Sequence, residues 1–178
     1  MGRVDALPRM LQQADAQARI FLVAGFALVG LATWLVLARH PRIAGVATAG
    51  AAAALLFGAV RAQRTEDRLL WFLDSITDRA FDGAILAAIA IAMRHEDHWV
   101  AALAVITLGV SFVAAYERAK GKALGYRVRD SLLIRAGRYV AVAAGLLTGE
   151  LLGALVAVLV LVTFTAIDDA RQVASQGP

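Results

Sequence analysis

The chain has 178 residues, of which 60% are hydrophobic, and its formal net charge is +4. This apolar share exceeds the roughly 45–50% of soluble globular domains, so the composition argues against a soluble protein. Cysteine is absent, which excludes disulfides, thiol chemistry and Cys-ligated metals. We therefore expect one polytopic membrane domain, and we expect its positive charge to meet the lipid bilayer rather than nucleic acid.

The N-terminal residues 1–19 have the pattern of an amphipathic juxtamembrane helix. Their apolar side chains recur at helical spacing, and Pro8 suits the first turn of a helix. These apolar positions are Leu7, Met10, Leu11, Ala14 and Ala18. We interpret the segment as a helix on the membrane surface; a disordered N-terminus is the alternative.

Six apolar segments follow, each separated from the next by a polar turn or loop. They are Ile20–Ala38, Ile43–Val60, Leu69–Met93, Trp99–Ala115, Tyr139–Leu147 with a backward extension to Leu132, and Leu151–Ile167. The second is rich in Ala and Gly, which predicts close helix packing. The predicted fold is all-α, with six transmembrane helices over residues 20–170 and a polar tail over 171–178.

The basic residues predict how the chain is oriented. The N-terminus, the loops after the second and fourth spans, and the tail carry most of them, whereas the other side has only Arg39, Arg42 and Arg94. The positive-inside rule therefore places both termini in the cytoplasm of a multi-pass protein of the cell membrane. Thr65 is expected to cap the third helix, with Glu66 and Asp67 in its first turn.

Three aspartates mark the first half of the third span. Asp74, Asp78 and Asp82 are four residues apart, so they form one stripe on a helix. Like charges at this spacing destabilise a helix, and a carboxylate inside a membrane segment costs several kcal/mol. We call these three residues the acid stripe. A divalent cation, arginine partners or a water-filled cavity must therefore compensate its negative charge.

Three chemical interpretations of the acid stripe are open from the residues alone. Its oxygens could hold Mg²⁺ or Mn²⁺ for phosphate chemistry. They could relay protons or ions in a transporter, although the stripe lies near one end of its span and no pair of broken helices is evident. They could instead form local pairs, such as Asp82 with Arg79 at i,i+3 spacing.

Three motifs resemble the CDP-alcohol phosphotransferase family. Residues 73–83 read L-D-S-I-T-D-R-A-F-D-G and are similar to the second half of its signature, D-x2-D-G-x2-A-R-x8-G-x3-D-x3-D. Residues 115–125, A-Y-E-R-A-K-G-K-A-L-G, resemble S-Y-x-R-A-[RK]-A-E-x-L-G at the end of the fourth helix. Residues 134–138, I-R-A-G-R, resemble the E-R-x-x-R that opens the fifth. The likeness is greatest to bacterial phosphatidylinositol-phosphate and phosphatidylglycerophosphate synthases.

The resemblance implies transfer of a phosphatidyl group from CDP-diacylglycerol to an alcohol, with release of CMP. It implies Mg²⁺ or Mn²⁺ on Asp74 and Asp78, with Asp78 also the catalytic base and Asp82 a supporting acid. It further implies a homodimer. The residues expected to bind phosphate are Arg61, Arg118, Lys120, Arg135 and Arg138.

The first half of the family signature is degenerate. The family spacing puts its first two aspartates at Ala53 and Leu56; with a slip of one residue, F-G-A-V-R over residues 57–61 resembles D-G-x-x-A-R, with Phe57 in place of the acid. Besides the ion or proton transporter, two functions therefore stay open. One is a synthase with an incomplete metal site. The other is a non-catalytic protein, without metal, that binds a lipid or nucleotide head group or forms a heterodimer with an active paralogue.

Overall fold

The structure is a computed structural model that describes residues 6–65, 67–128 and 131–176, with side chains described from residue 16 onward. All of the regular secondary structure in these residues is α-helical, which confirms the predicted fold class. The described helices are α1 (Ala6–Leu37), α2 (Pro41–Ala62), α3 (Arg68–Met93), α4 (His98–Ala123), α5 (Leu132–Thr148) and α6 (Leu151–Ala174).

Short loops reverse the chain between successive helices. We call the end of the bundle that holds the α2–α3 and α4–α5 connections the basic end, and the opposite end the hairpin end. At the hairpin end, Arg39 contacts Glu96 at 2.6 Å and so joins the first two hairpins. Helix α1 packs on α2 and α3, α2 on α5, α4 on α3 and α6, and α5 on α6.

Four of the described helices are long and apolar enough to cross a membrane: α1 from Ala16, α2, α4 and α6. Helix α3 falls short because the acid stripe and Arg79 put at least three charged side chains into every stretch of spanning length. Helix α5 falls short because it has only 17 residues, whereas a span needs about 20. The predicted class of all-α membrane protein is therefore supported, but only four of the six predicted spans qualify by length and composition among the described residues, and α3 and α5 do not.

Helix boundaries at both ends of the chain differ from the prediction. Helix α1 continues without a break across residues 19–20, because Ala18 is fully buried and Gln17 and Arg19 bond to residues of α2 and of the α2–α3 loop. The apolar positions expected on the N-terminal surface helix before residue 16 lie outside the described side chains. Helix α6 runs beyond Ile167 to Ala174, and Asp169, two residues after Ile167, is buried in the bundle.

The cap of α3 is Asp67, so the prediction that Thr65 caps this helix is wrong. Asp67 accepts a hydrogen bond from the Leu69 N–H at 2.8 Å, whereas Thr65 donates to the Ala62 carbonyl; Glu66 lies outside the described residues. The hydrogen bond from Arg19, followed by that from Leu69, lowers the pKa of Asp67. The contribution of this cap to stability is therefore complete above the ordinary carboxyl pKa and is lost as the pH falls below it.

Glycines in α2 allow its neighbours to approach closely, as predicted for the second span. A Cβ atom at Gly58 would lie 2.8 Å from a Leu22 methyl group of α1. A Cβ atom at Gly45 would lie 2.9 Å from the Leu147 backbone nitrogen of α5. Because a backbone cannot move aside as a side chain can, the α2–α5 contact depends on Gly45.

Replacing Gly45 by alanine is expected to destabilise the bundle. Overpacking a tight contact costs about 1–3 kcal/mol, so Gly45→Ala should lower the thermal unfolding midpoint in detergent. Gly30→Ala is the matched control, since a Cβ atom there meets nothing within 4 Å and alanine favours a helix by up to about 1 kcal/mol. Equal midpoints for the two variants would contradict the close α2–α5 packing.

Candidate functional site

The acid stripe lies on one face of α3 and points into the bundle. Asp78 and Asp82 are each only 3% exposed, and the side chain of Asp74, nearest the basic end, is 13% exposed. This confirms that the three carboxylates share one helical face and do not face lipid. Burial of this extent requires a partner for each charge.

Helix α5 supplies these partners in matching order. The Ser131 side chain caps its N-terminus, and the helical repeat then places Arg135, Arg138 and Tyr139 on the face toward α3. Arg135 Nη1 lies 2.8 Å from the Asp74 carboxylate. Arg138 Nη2 lies 3.1 Å from Asp78 Oδ1, and Arg138 Nη1 contacts Asp82. The Tyr139 hydroxyl donates to Asp78 Oδ1 at 2.6 Å.

Helix α4 completes this network through Ser111. Its hydroxyl donates to Asp82, and its backbone carbonyl accepts from Arg79 Nη1 at 3.0 Å. Arg79 also pairs with Asp78 and lies 3.7 Å from Asp82, as the i,i+3 spacing predicted. No Cα atom of α3 lies within 8 Å of one in α5 among the described residues, so these polar side chains bridge the two helices.

The residues present do not fit a two-metal centre. Each carboxylate of the acid stripe already contacts an arginine, and the described residues contain no group of three His, Cys, Asp or Glu side chains placed to hold a metal ion. At the positions where the resemblance expects two more acids, Ala53 and Phe57 are exposed on the outer surface of α2 and Leu56 is half-buried. Apolar side chains at these positions cannot ligate a cation.

A cavity of about 540 Å³ opens beside the acid stripe at the basic end. Among the described residues, its charged lining consists of four cationic side chains and two carboxylates, so positive charge is in excess there. We call it the basic cavity. Its described lining residues are Ala62, Gln63, Trp71, Phe72, Asp74, Ser75, Asp78, Arg79, Ala115, Arg118, Ala119, Lys122 and Arg135. Asp169 of α6 orients Arg118 through contacts of 3.0 Å.

An apolar groove of about 450 Å³ meets the basic cavity at Arg79. The groove lies between α1, α3 and α4 and is lined by Phe26, Val29, Gly30, Ile76, Arg79, Ala80, Gly83, Ala84 and Phe112. Arg79 is the one lining residue that the groove and the basic cavity share. A single amphiphile could therefore place a charged group on one side of Arg79 and an apolar chain on the other.

The predicted phosphate-binding residues separate into two groups. Arg118 and Arg135 line the basic cavity, and Arg138 lies behind them in a space of about 40 Å³. Lys120 is exposed and lines neither cavity, and Arg61 lies on the outer surface between α1 and α2. The structure therefore brings together three of these five cations.

Sequence reasoning missed Ser111 and Tyr139, which belong to the network, and Asp169, which pairs with the cavity residue Arg118. Asp169 carried a signal. Asp168 and Asp169 come directly after the apolar run Leu151–Ile167, and Asp74 likewise comes directly after the apolar residues 69–73. Ser111 and Tyr139 gave no such signal, since a single hydroxyl in an apolar helix is common and usually bonds to its own backbone.

The fold and the polar interior define an all-α membrane protein with the architecture of a CDP-alcohol phosphotransferase. One structural neighbour is the phosphatidylinositol phosphate synthase of Mycobacterium tuberculosis, whose crystal structure has CDP-DAG bound. The two chains superpose with a TM-score of 0.69 at 21% identity, over 94% of this chain and 92% of the synthase. The resemblance in the three motifs is thus confirmed at the level of the fold. No family model and no curated protein matches the sequence.

Arg138 is expected to be essential for the stability of the bundle. Arg138→Leu removes one of the two arginines that Asp78 and Asp82 share, the other being the partly exposed Arg79, and removing one partner of a buried ion pair costs about 3–5 kcal/mol. The unfolding midpoint in detergent should fall sharply, and adding Asp82→Asn should restore part of the loss. Arg94→Leu, at the exposed hairpin end, is the control. An Arg138→Leu variant as stable as this control would contradict the bridging role.

Proposed function

We propose that this chain is a non-catalytic membrane protein of the CDP-alcohol phosphotransferase family that binds a phosphate-bearing lipid, CDP-diacylglycerol or a related CDP-alcohol, in the basic cavity. The proposal rests on how the charged side chains are distributed at the site. The carboxylates contact arginines of their own chain, while the cavity beside them keeps an excess of cations.

The lining chemistry favours a phosphate ester over other anions. Guanidinium groups bind phosphate oxygens through paired, charge-assisted hydrogen bonds, and Arg118 is already held in place by Asp169. Trp71 donates its indole N–H to the Ala62 carbonyl at 2.9 Å, which fixes a flat apolar wall for a ring such as a nucleobase. A volume of about 540 Å³ lies in the usual range for small-molecule sites.

Loss of transfer follows from the same contacts. A base must accept a proton from the acceptor hydroxyl, but the Asp78 oxygens contact Arg138, Arg79 and Tyr139. The active synthase remains the competing function, because Asp74 and Asp78 both line the basic cavity. Pairing with an active paralogue, or with a second copy, would give a non-catalytic chain a role in phospholipid synthesis.

The proposal includes the topology. All six helices cross the cell membrane, with both termini and the basic end in the cytoplasm, as the positive-inside rule expects. Helices α1, α2, α4 and α6 supply the apolar contact with lipid, and the polar faces of α3 and α5 meet in the interior.

Binding without a metal is the central test of the proposed function. We expect purified protein to bind CDP-diacylglycerol saturably in EDTA and to release no CMP when Mn²⁺ and polar alcohols are added. Arg118→Gln should weaken binding about 10- to 100-fold, since a charge-assisted hydrogen bond contributes about 1.5–3 kcal/mol. Arg94→Gln is the control. CMP release that Asp78→Asn abolishes would overturn the proposal in favour of the active synthase.

The apolar groove offers a separate prediction about the lipid part of the ligand. Gly30 and Gly109 are both exposed, and a Cβ atom at either meets nothing within 4 Å; only Gly30 lines the groove. Gly30→Leu should therefore weaken binding of CDP-diacylglycerol severalfold and leave binding of water-soluble CDP unchanged, because the added side chain occupies the space of an acyl chain. Gly109→Leu should change neither. Equal affinities in all three proteins would show that the groove holds no acyl chain.

A further inference from the structure

A second groove lies on the opposite flank of α2 and shares no residue with the basic cavity. It has a volume of about 530 Å³ and is formed by the neighbouring ends of α1 and α2 near the basic end. We call it the α1–α2 groove. Its described lining residues are Gln17, Leu56, Phe57, Val60, Arg61 and Arg64.

Two aromatic rings hold the guanidinium of Arg61 in this groove. Its Cζ atom lies 5.3 Å from the ring centre of Phe21 and 5.8 Å from that of Phe57. The two rings stack on each other with centres 5.8 Å apart. Arg61 Nε also donates to Gln17 Oε1 at 3.1 Å. A guanidinium fixed in this way keeps its two terminal amino groups available, and it loses little freedom when it binds a ligand.

The described lining of the groove has cationic and apolar parts but no acid. Arg61 and Arg64 supply the charge, and neither forms an ion pair with a carboxylate within residues 16–65, 67–128 and 131–176. The remaining surface is apolar and includes Phe57, whose side chain is 56% exposed, and Val60 at 37%. A ligand that satisfies both parts must be an anionic amphiphile.

We propose that the α1–α2 groove binds one anionic phospholipid of the surrounding bilayer. The lipid phosphate contacts Arg61 and Arg64, and an acyl chain lies along Leu56, Phe57 and Val60. Basic pockets between membrane helices, at the level of the head groups, are suited to such lipids. The apolar wall selects a phospholipid over free phosphate, which would leave the exposed side chains of Phe57 and Val60 without a partner.

The same residues explain why Arg61 is absent from the basic cavity. Phe57 is the residue that stands in place of an acid in the degenerate signature. Its ring contacts the Arg61 guanidinium, so Arg61 lies on the outer surface and not in the basic cavity. The lipid site does not depend on the proposed function, because the basic cavity contributes nothing to it.

Native mass spectrometry of the full chain, titrated with phosphatidylglycerol or phosphatidylcholine, tests this site. We expect one phosphatidylglycerol to be retained in preference to phosphatidylcholine. Arg61→Gln and Arg64→Gln should each reduce this retention at least fivefold, and Phe57→Leu, which removes one ring, should reduce it less. Arg94→Gln, at the other end of the bundle, should retain the lipid as the wild type does.

Further variants separate this site from the basic cavity. Arg118→Gln, which alters the basic cavity, should leave phosphatidylglycerol retention unchanged even if CDP-diacylglycerol binding is lost or was never present. If Arg61→Gln fails to fold, Arg64→Gln decides alone, because Arg64 is exposed and only its backbone N–H forms a described hydrogen bond. Unchanged retention in Arg64→Gln, or equal retention of the two lipids by the wild type, would overturn the proposal.

Discussion

The structure depends on the ionic network that joins α3 to α5 inside the bundle. Three carboxylates on one face of α3 would be prohibitively costly in a membrane interior without compensating charge. Arg135 and Arg138 supply that charge in the same order along α5, and Tyr139 and Ser111 occupy further carboxylate oxygens. Because no α3 backbone approaches α5 closely among the described residues, these side chains define how the two helices face each other.

The same network determines what the site can bind. In a metal-dependent phosphotransferase, acidic side chains would hold cations, and the cations would meet the phosphates of the substrate. In the proposed function, arginines of the chain neutralise these carboxylates in place of metal ions, and a phosphate contacts the arginines directly. Such a site still attracts a phosphate ester, but it lacks the ions that would stabilise charge during transfer.

Much of the fold and part of the site can be predicted from the sequence. Uninterrupted apolar runs predict the helices, and the spacing of Asp74, Asp78 and Asp82 predicts one buried face, since both signals are local. The motif that contains Arg135 and Arg138 also predicts that cations lie near these acids.

The sequence did not predict which residues far apart along the chain contact each other. Asp67 replaces Thr65 as the cap of α3 because Arg19, far away in sequence, reaches it. Asp169 becomes part of the site because α6 packs against α4. Arg61 turns outward because Phe21 of another helix completes its aromatic pair. Each outcome depends on packing across helices, which hydrophobic periodicity does not encode.

The most direct test of this account is a titration of the purified chain with Mn²⁺, followed by electron paramagnetic resonance, with and without a CDP-alcohol. If arginines neutralise the acid stripe, neither condition should give stoichiometric Mn²⁺ binding at micromolar concentrations. Binding of one or more Mn²⁺ ions per chain, removed by both Asp74→Asn and Asp78→Asn, would contradict it.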